Sequence, residues 1–245
     1  MRRIVISAFA ICMAFSSFAQ NDTTAVAPST IKINTHIDTR SNDHFLIQFG
    51  YLSWTGVPDS IRTKGFPHSF NVYVMLNFPF KTDPHWSVAL GPGVSSDHMY
   101  FDKMYPGIKD PTPTIRFNDV KDTTHFKKVK LATAFAELPI ELRYRFNPDQ
   151  DKGSVKLALG VKVGALLNAH TRANELQDKS DNTINDYTLK ESTTRYFNKF
   201  RLSATGRVGI GRISFFASYS VTPLFKEGLG PIVRPLSLGL TLSGL

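Results

Sequence analysis

Four consecutive residues, Ser95, Ser96, Asp97 and His98, carry two hydroxyls, a carboxylate and an imidazole, the groups from which a nucleophile and its general base are made. They fall at a predicted strand-to-loop exit. Successive residues of a strand point to opposite faces, so Ser96 and His98 share one face and Ser95 does not. A triad is defined by geometry rather than adjacency, so the expectation is an ordinary polar strand end, with no catalytic residue. The rival is a membrane-embedded lipid-modifying enzyme using Ser96 and His98. The seven histidines, His36, His44, His68, His85, His98, His125 and His170, are dispersed without a His-x-x-x-His pair, so no metal and no cofactor are expected. The run Asp178, Asp181, Asn182, Asn185 and Asp186 lacks the spacing and central glycine of a calcium loop and reads as a solvated loop.

The charges at mid-chain have a clearer purpose. Glu137, Glu141, Arg143 and Arg145 lie on one face of a predicted strand, and Lys156, Lys162, Arg201 and Arg207 lie on the matching face of its neighbours. An isolated buried ion is very costly, so such charges must pair. Together they predict a salt-bridged network filling a narrow lumen. A gated ion or proton path is the alternative, and open diffusion of nutrients does not suit an interior only wide enough for side chains.

The elements that would hold these charges are read from strict alternation. His44 to Leu52 sets Phe45, Ile47, Phe49 and Tyr51 against Gln48 and Gly50, and Ser69 to Phe80 sets Phe70, Val72, Val74, Leu76 and Phe78 against Asn71, Tyr73, Met75 and Asn77. Trp86 to Val94, Leu138 to Phe146, Ser154 to Leu167, Phe200 to Ile210, Ile213 to Val221 and Leu236 to Leu242 repeat the period of two. That makes about eight strands, all antiparallel, the smallest number usual for an up-and-down transmembrane barrel. Between Lys127 and Glu137 the apolar residues Val129, Leu131 and Phe135 sit on the opposite parity from Leu138, which predicts a bulge near Ala136.

Residues 1–19 read as a signal peptide: Arg2 and Arg3, an apolar stretch from Ile4 to Phe15, and Ser17-Phe18-Ala19 before the cleavage point. Residues 20–43 would form a flexible periplasmic tail and 44–245 the barrel. Cys12 leaves with the leader, so no disulfide is expected. Without Arg2 and Arg3 the formal charge of +9 becomes +7. An exported chain meets little nucleic acid, so a basic surface suits outer-membrane lipids or lipopolysaccharide better. The connectors Ser53–His68, Met99–Phe126 and Ala169–Tyr196 are long and Pro223–Pro231 is moderate, while Lys81–His85, Asn147–Gly153 and the step at Gly209–Gly211 are short. This asymmetry predicts long outer loops, short periplasmic turns and an outer-membrane location. A small, sparsely charged polar face and aromatics near strand ends point the apolar face at lipid. In a soluble lipocalin-like barrel the same face would point inward.

The segment Glu137-Leu-Pro-Ile-Glu-Leu-Arg-Tyr-Arg-Phe146, followed by the Gly-rich strand Lys156-Leu-Ala-Leu-Gly-Val-Lys-Val-Gly164, resembles the outer-membrane β-barrel domain family that includes PorT-like proteins and small porin-family barrels. The resemblance covers most of residues 43–245. It implies an integral outer-membrane protein, with some members serving protein secretion, and hence envelope or secretion-system proteins as partners. The chain departs from many outer-membrane barrels in ending on Leu245 rather than Phe or Trp. The expectation is a monomeric barrel with a binding or structural role through its outer loops or an envelope assembly, and no catalysis.

Overall fold

The computed structural model describes residues 44–147 and 153–244, so the predicted leader, the tail and part of the second short turn lie outside the described residues. The described residues form thirteen strands: β1 (Phe45–Thr55), β2 (His68–Val74), β3 (Leu76–Pro79), β4 (Trp86–Leu90), β5 (Gly93–Phe101), β6 (Met104–Pro106), β7 (Phe117–Asp119), β8 (His125–Arg145), β9 (Val155–Gln177), β10 (Thr183–Ser192), β11 (Phe200–Ile210), β12 (Ile213–Ser220) and β13 (Arg234–Ser243). Eleven belong to one sheet, and β6 and β7 pair separately.

The count is higher than the eight expected, for two physical reasons. Two walls are each broken once. Tyr73 pairs with Gly93 and Leu76 with Leu90 on one unbroken register, and the ladder lapses between them. There Pro92 has no N–H to give, and a side chain on Gly91 would come within 1.8 Å of the Val74 carbonyl oxygen. The other surplus strands, β6, β7 and β10, lie within connectors expected to be loops. The ladders run β1–β2–β5–β8 on one side and β1–β13–β12–β11–β9 on the other. The long β8–β9 ladder, Arg145↔Lys156 through His125↔Gln177, joins the two.

Alternation sorts the faces as the sequence implied. Leu159, Phe200 and Leu240 are 72%, 71% and 59% exposed, whereas Gln48, Asn71, Ser203 and Thr241 are buried on the opposite face. The apolar face points outward, the reverse of a lipocalin-like barrel. Gly50 and Gly239 pair across the β1–β13 seam, and the Phe216 ring lies 2.9 Å from where a Gly50 side chain would begin, so the missing side chain makes room for the ring.

The bulge predicted near Ala136 is not on that strand. β8 keeps one parity throughout, with Val129, Leu131, Phe135, Glu137, Glu141 and Arg143 all buried. The register shift lies between Ala134 and Phe135, whose partners are Asn168 and Leu166, so the extra residue is Leu167 on β9. What changes along β8 is its surroundings. Toward the turns the apolar residues face out, and toward the long loops they face in.

That inward apolar end is a true core. Leu52, Trp54, Phe101, Leu131, Phe135, Tyr196, Phe197 and Phe225 are buried together, with the Trp54 ring 5.8 Å from Phe101 and 6.2 Å from Phe225. The stretch expected as the loop Ala169–Tyr196 is largely strand, because β9 runs on to Gln177 and β10 returns along it. Its polar outer face carried no apolar alternation to announce it.

Candidate functional site

The predicted charges converge inside the barrel in two clusters. Arg201, on β11, reaches across to β5 and β8. Its Nη1 donates to Asp97 Oδ2 at 2.5 Å, and its Nη2 donates to Ser95 Oγ at 2.7 Å and to Glu137 Oε1. The guanidinium also stacks over Phe135, 3.9 Å from the ring centroid. Glu137 accepts a further bond from the Tyr73 hydroxyl at 2.5 Å. The Lys162 ammonium stands 3.7 Å from the same carboxylate and donates to Tyr73 Oη at 3.3 Å. Two carboxylates and two cations thus tie five strands, β2, β5, β8, β9 and β11, through the centre.

Closer to the turns, Glu141 accepts Arg207 Nη2 at 2.6 Å, Arg207 Nε at 3.2 Å and Arg143 Nε at 3.0 Å. Arg145 and Lys156 are cross-strand neighbours. They line a crevice at the turn end with Ser87, Arg143, Arg207 and Ser214. The sequence named six residues of the two clusters and missed Tyr73 and Asp97. The Asp97 signal was present, because it shares parity with Ser95, but the sequence alternation from Trp86 fades at Val94, whereas β5 continues to Phe101.

The Ser96 Oγ and His98 Nε2 lie 3.0 Å apart on the outer surface. Asp97 does not join them, because it faces inward to Arg201. His98 Nδ1 has no hydrogen-bond partner among the described residues, so nothing there orients the imidazole as a triad requires. Its ring stacks instead on His68, 4.8 Å between centroids. Among the described residues no group of three His, Cys, Asp or Glu side chains is placed to hold a metal.

The long connectors are tied down by polar contacts. Arg62 grips Asp119 with two bonds, of 2.9 and 2.6 Å, fastening the first connector to the β6–β7 hairpin. The Arg62 hydrogen bond holds the Asp119 carboxyl down at about 2. Asp178 accepts from the backbone N–H groups of Ser180 and Asn182, shaping its own turn. Lys103 and His125 converge on Asp181 at 2.7 and 2.9 Å and keep its carboxyl below the usual range. Burial, then its bond to Glu191, pushes the Tyr105 hydroxyl up. Asn198 donates to the carbonyls of Pro223 and Phe225, locking the last connector.

The family model described as outer membrane protein beta-barrel domain matches residues 18–227. No curated protein matches the sequence. Among solved structures, the chain is similar to Ail, the attachment invasion locus protein of Yersinia pestis, with a TM-score of 0.33 and 12% identity over 81% of this chain and 94% of that one.

Proposed function

The chain belongs to the outer membrane protein beta-barrel domain family, and from that premise we propose that it is a non-conducting, non-catalytic outer-membrane barrel whose working surface is its capped loop end. The observation that carries the reading is the filled interior. Arg201, Glu137, Lys162, Tyr73 and Asp97 bond across it, and an apolar core occupies the loop end above them. A hydrated path needs continuous water-lined space, and these side chains take it up. A rigid cap built from four connectors suits recognition, because a surface held in place loses little entropy on binding. Envelope or secretion-system proteins, as the PorT-like resemblance implies, are the partners this surface would meet, with the long connectors outward and a cleaved leader providing export.

Planar-bilayer recording of the full-length protein, folded with its leader removed, tests the reading. No conductance steps are expected. Steps whose size changes in Arg201→Ala would establish the channel instead. The enzyme reading rests on the 3.0 Å Ser96–His98 bond. Release of fatty acid from outer-membrane lipid, lost in Ser96→Ala, would replace the binding role with catalysis.

A further inference from the structure

Outside the barrel, cross-strand register sets cations side by side. Lys130 on β8 pairs with Arg172 on β9, and Arg172 pairs with Lys190 on β10, while Tyr100 on β5 adjoins Lys130. Val129, Leu131, Thr171 and Ala173, the chain neighbours of Lys130 and Arg172, are buried inside, so by alternation those two cations face out, and Lys190, directly paired with Arg172, shares their face. Residues directly opposed in antiparallel strands have Cα atoms about 4.5–5.5 Å apart, and like charges there repel. The charges acting on Lys130 are those of Arg172 and Lys190, with no acid among them. The row below holds His68, His98, Ala132, His170 and Ser192. The row above holds Lys128, Asn174 and Thr188. Nearby acids are engaged elsewhere: Asp97 with Arg201, Asp102 with Lys64, Glu175 with Lys127 and Glu191 with Tyr105. Among the described residues none of the three cations has a carboxylate partner.

The depth of the row tells what supplies the missing anion. Outward residues of β8 run Lys130, Ala132, Ala134, Ala136, Leu138, Ile140 and Leu142, from basic through small to apolar. With the usual strand rise and tilt, Lys130 stands about 10 Å above Ala134 along the barrel axis. That is the level of headgroups rather than acyl chains, and lysine and arginine stems extend the reach. We propose that Lys130, Arg172 and Lys190 form a binding site for phosphate groups on the sugar headgroup of an outer-leaflet glycolipid. The site rests on the reading that the long connectors face outward. Three fixed cations in a line match a multiply phosphorylated sugar better than a single-charge phospholipid.

The test uses the full-length protein folded in uncharged detergent and titrated with bisphosphorylated lipid A, with the same lipid dephosphorylated, and with inorganic pyrophosphate. Tight, salt-sensitive binding is expected for the bisphosphorylated lipid alone. Each of Lys130→Gln, Arg172→Gln and Lys190→Gln should weaken it about fivefold, and the triple variant about a hundredfold. Lys109→Gln with Lys121→Gln, on exposed connectors, should leave it unchanged. The triple variant should also resist unfolding at least as well as the parent in lipid-free detergent, because it relieves repulsion. Equal binding of the two lipids, or an unaffected triple variant, overturns the site. Pyrophosphate binding as tightly as the lipid overturns the lipid source. A chain that gives no heat-modifiable band in outer membranes overturns the barrel reading and the site with it.

Discussion

Replacing Arg201 with methionine removes the centre of the interior network while roughly keeping its volume. The variant loses the bonds to Asp97, Ser95 and Glu137. Glu137 keeps Lys162 and Tyr73, but Asp97, only 8% exposed, is left facing an apolar thioether where the guanidinium stood. Removing one partner of a buried ion pair costs about 3–5 kcal/mol, because the remaining charge is stranded away from water. Adding Asp97→Asn removes the stranded charge and should recover most of that loss, while Glu137 stays as the counter-ion of Lys162. An Arg201–Asp97 double-mutant cycle should then show a coupling of about 1–3 kcal/mol. The assay is denaturant unfolding in detergent micelles, followed by gel mobility without boiling and by tryptophan fluorescence. A loss under about 1 kcal/mol for Arg201→Met, or strictly additive single and double variants, would refute the claim that these charges form one cooperative unit.

Other outcomes follow from the same geometry. Val161 lies mid-strand on the outward face, paired with Ala204 and Ile140, so Val161→Arg should destabilise the inserted barrel by about 2–4 kcal/mol; an unchanged unfolding midpoint in lipid would put that face in water. Gly239→Ala would set a methyl carbon 2.2 Å from the Phe49 carbonyl oxygen, at a cost of about 1–3 kcal/mol, read as a lower unfolding midpoint. Trp54→Ala opens the loop-end core and should cost about 3–5 kcal/mol, with faster proteolysis of the connectors as the visible result. The Arg62–Asp119 tie follows a depressed carboxyl. Its contribution is present above the unfolded carboxyl value near 4 and is lost as pH falls through about 2, so carboxyl titration by NMR should leave Asp119 ionised at pH 4, and a midpoint at the ordinary value would break the assignment.

Most of the lipid-facing wall was legible from sequence, because alternation is a local property. Phe45 to Tyr51, Leu138 to Phe146 and Phe200 to Ile210 each declare two faces by residue type alone, and the unequal connectors declare two ends. Six of the interior charges were legible for the same reason, since parity placed Glu137, Glu141, Arg143, Lys162, Arg201 and Arg207 on one side. The loop end was not legible. There Val129, Leu131 and Phe135 keep the parity of Glu137 but exchange charge for an apolar core, and a local pattern cannot say which solvent lies on either side of the sheet.

The sequence by itself determined that the chain alternates, that one face is apolar and that charges on the other must pair, since each follows from side-chain chemistry and the two-residue repeat of a strand. Only the tertiary structure decided which charges meet. Arg201 finds Asp97 and Glu137, 104 and 64 residues away, because the order of strands brings β5, β8 and β11 around one interior. The same ladders set Lys130, Arg172 and Lys190 abreast. Such neighbours are fixed by long-range register, and no segment of the chain contains that register on its own.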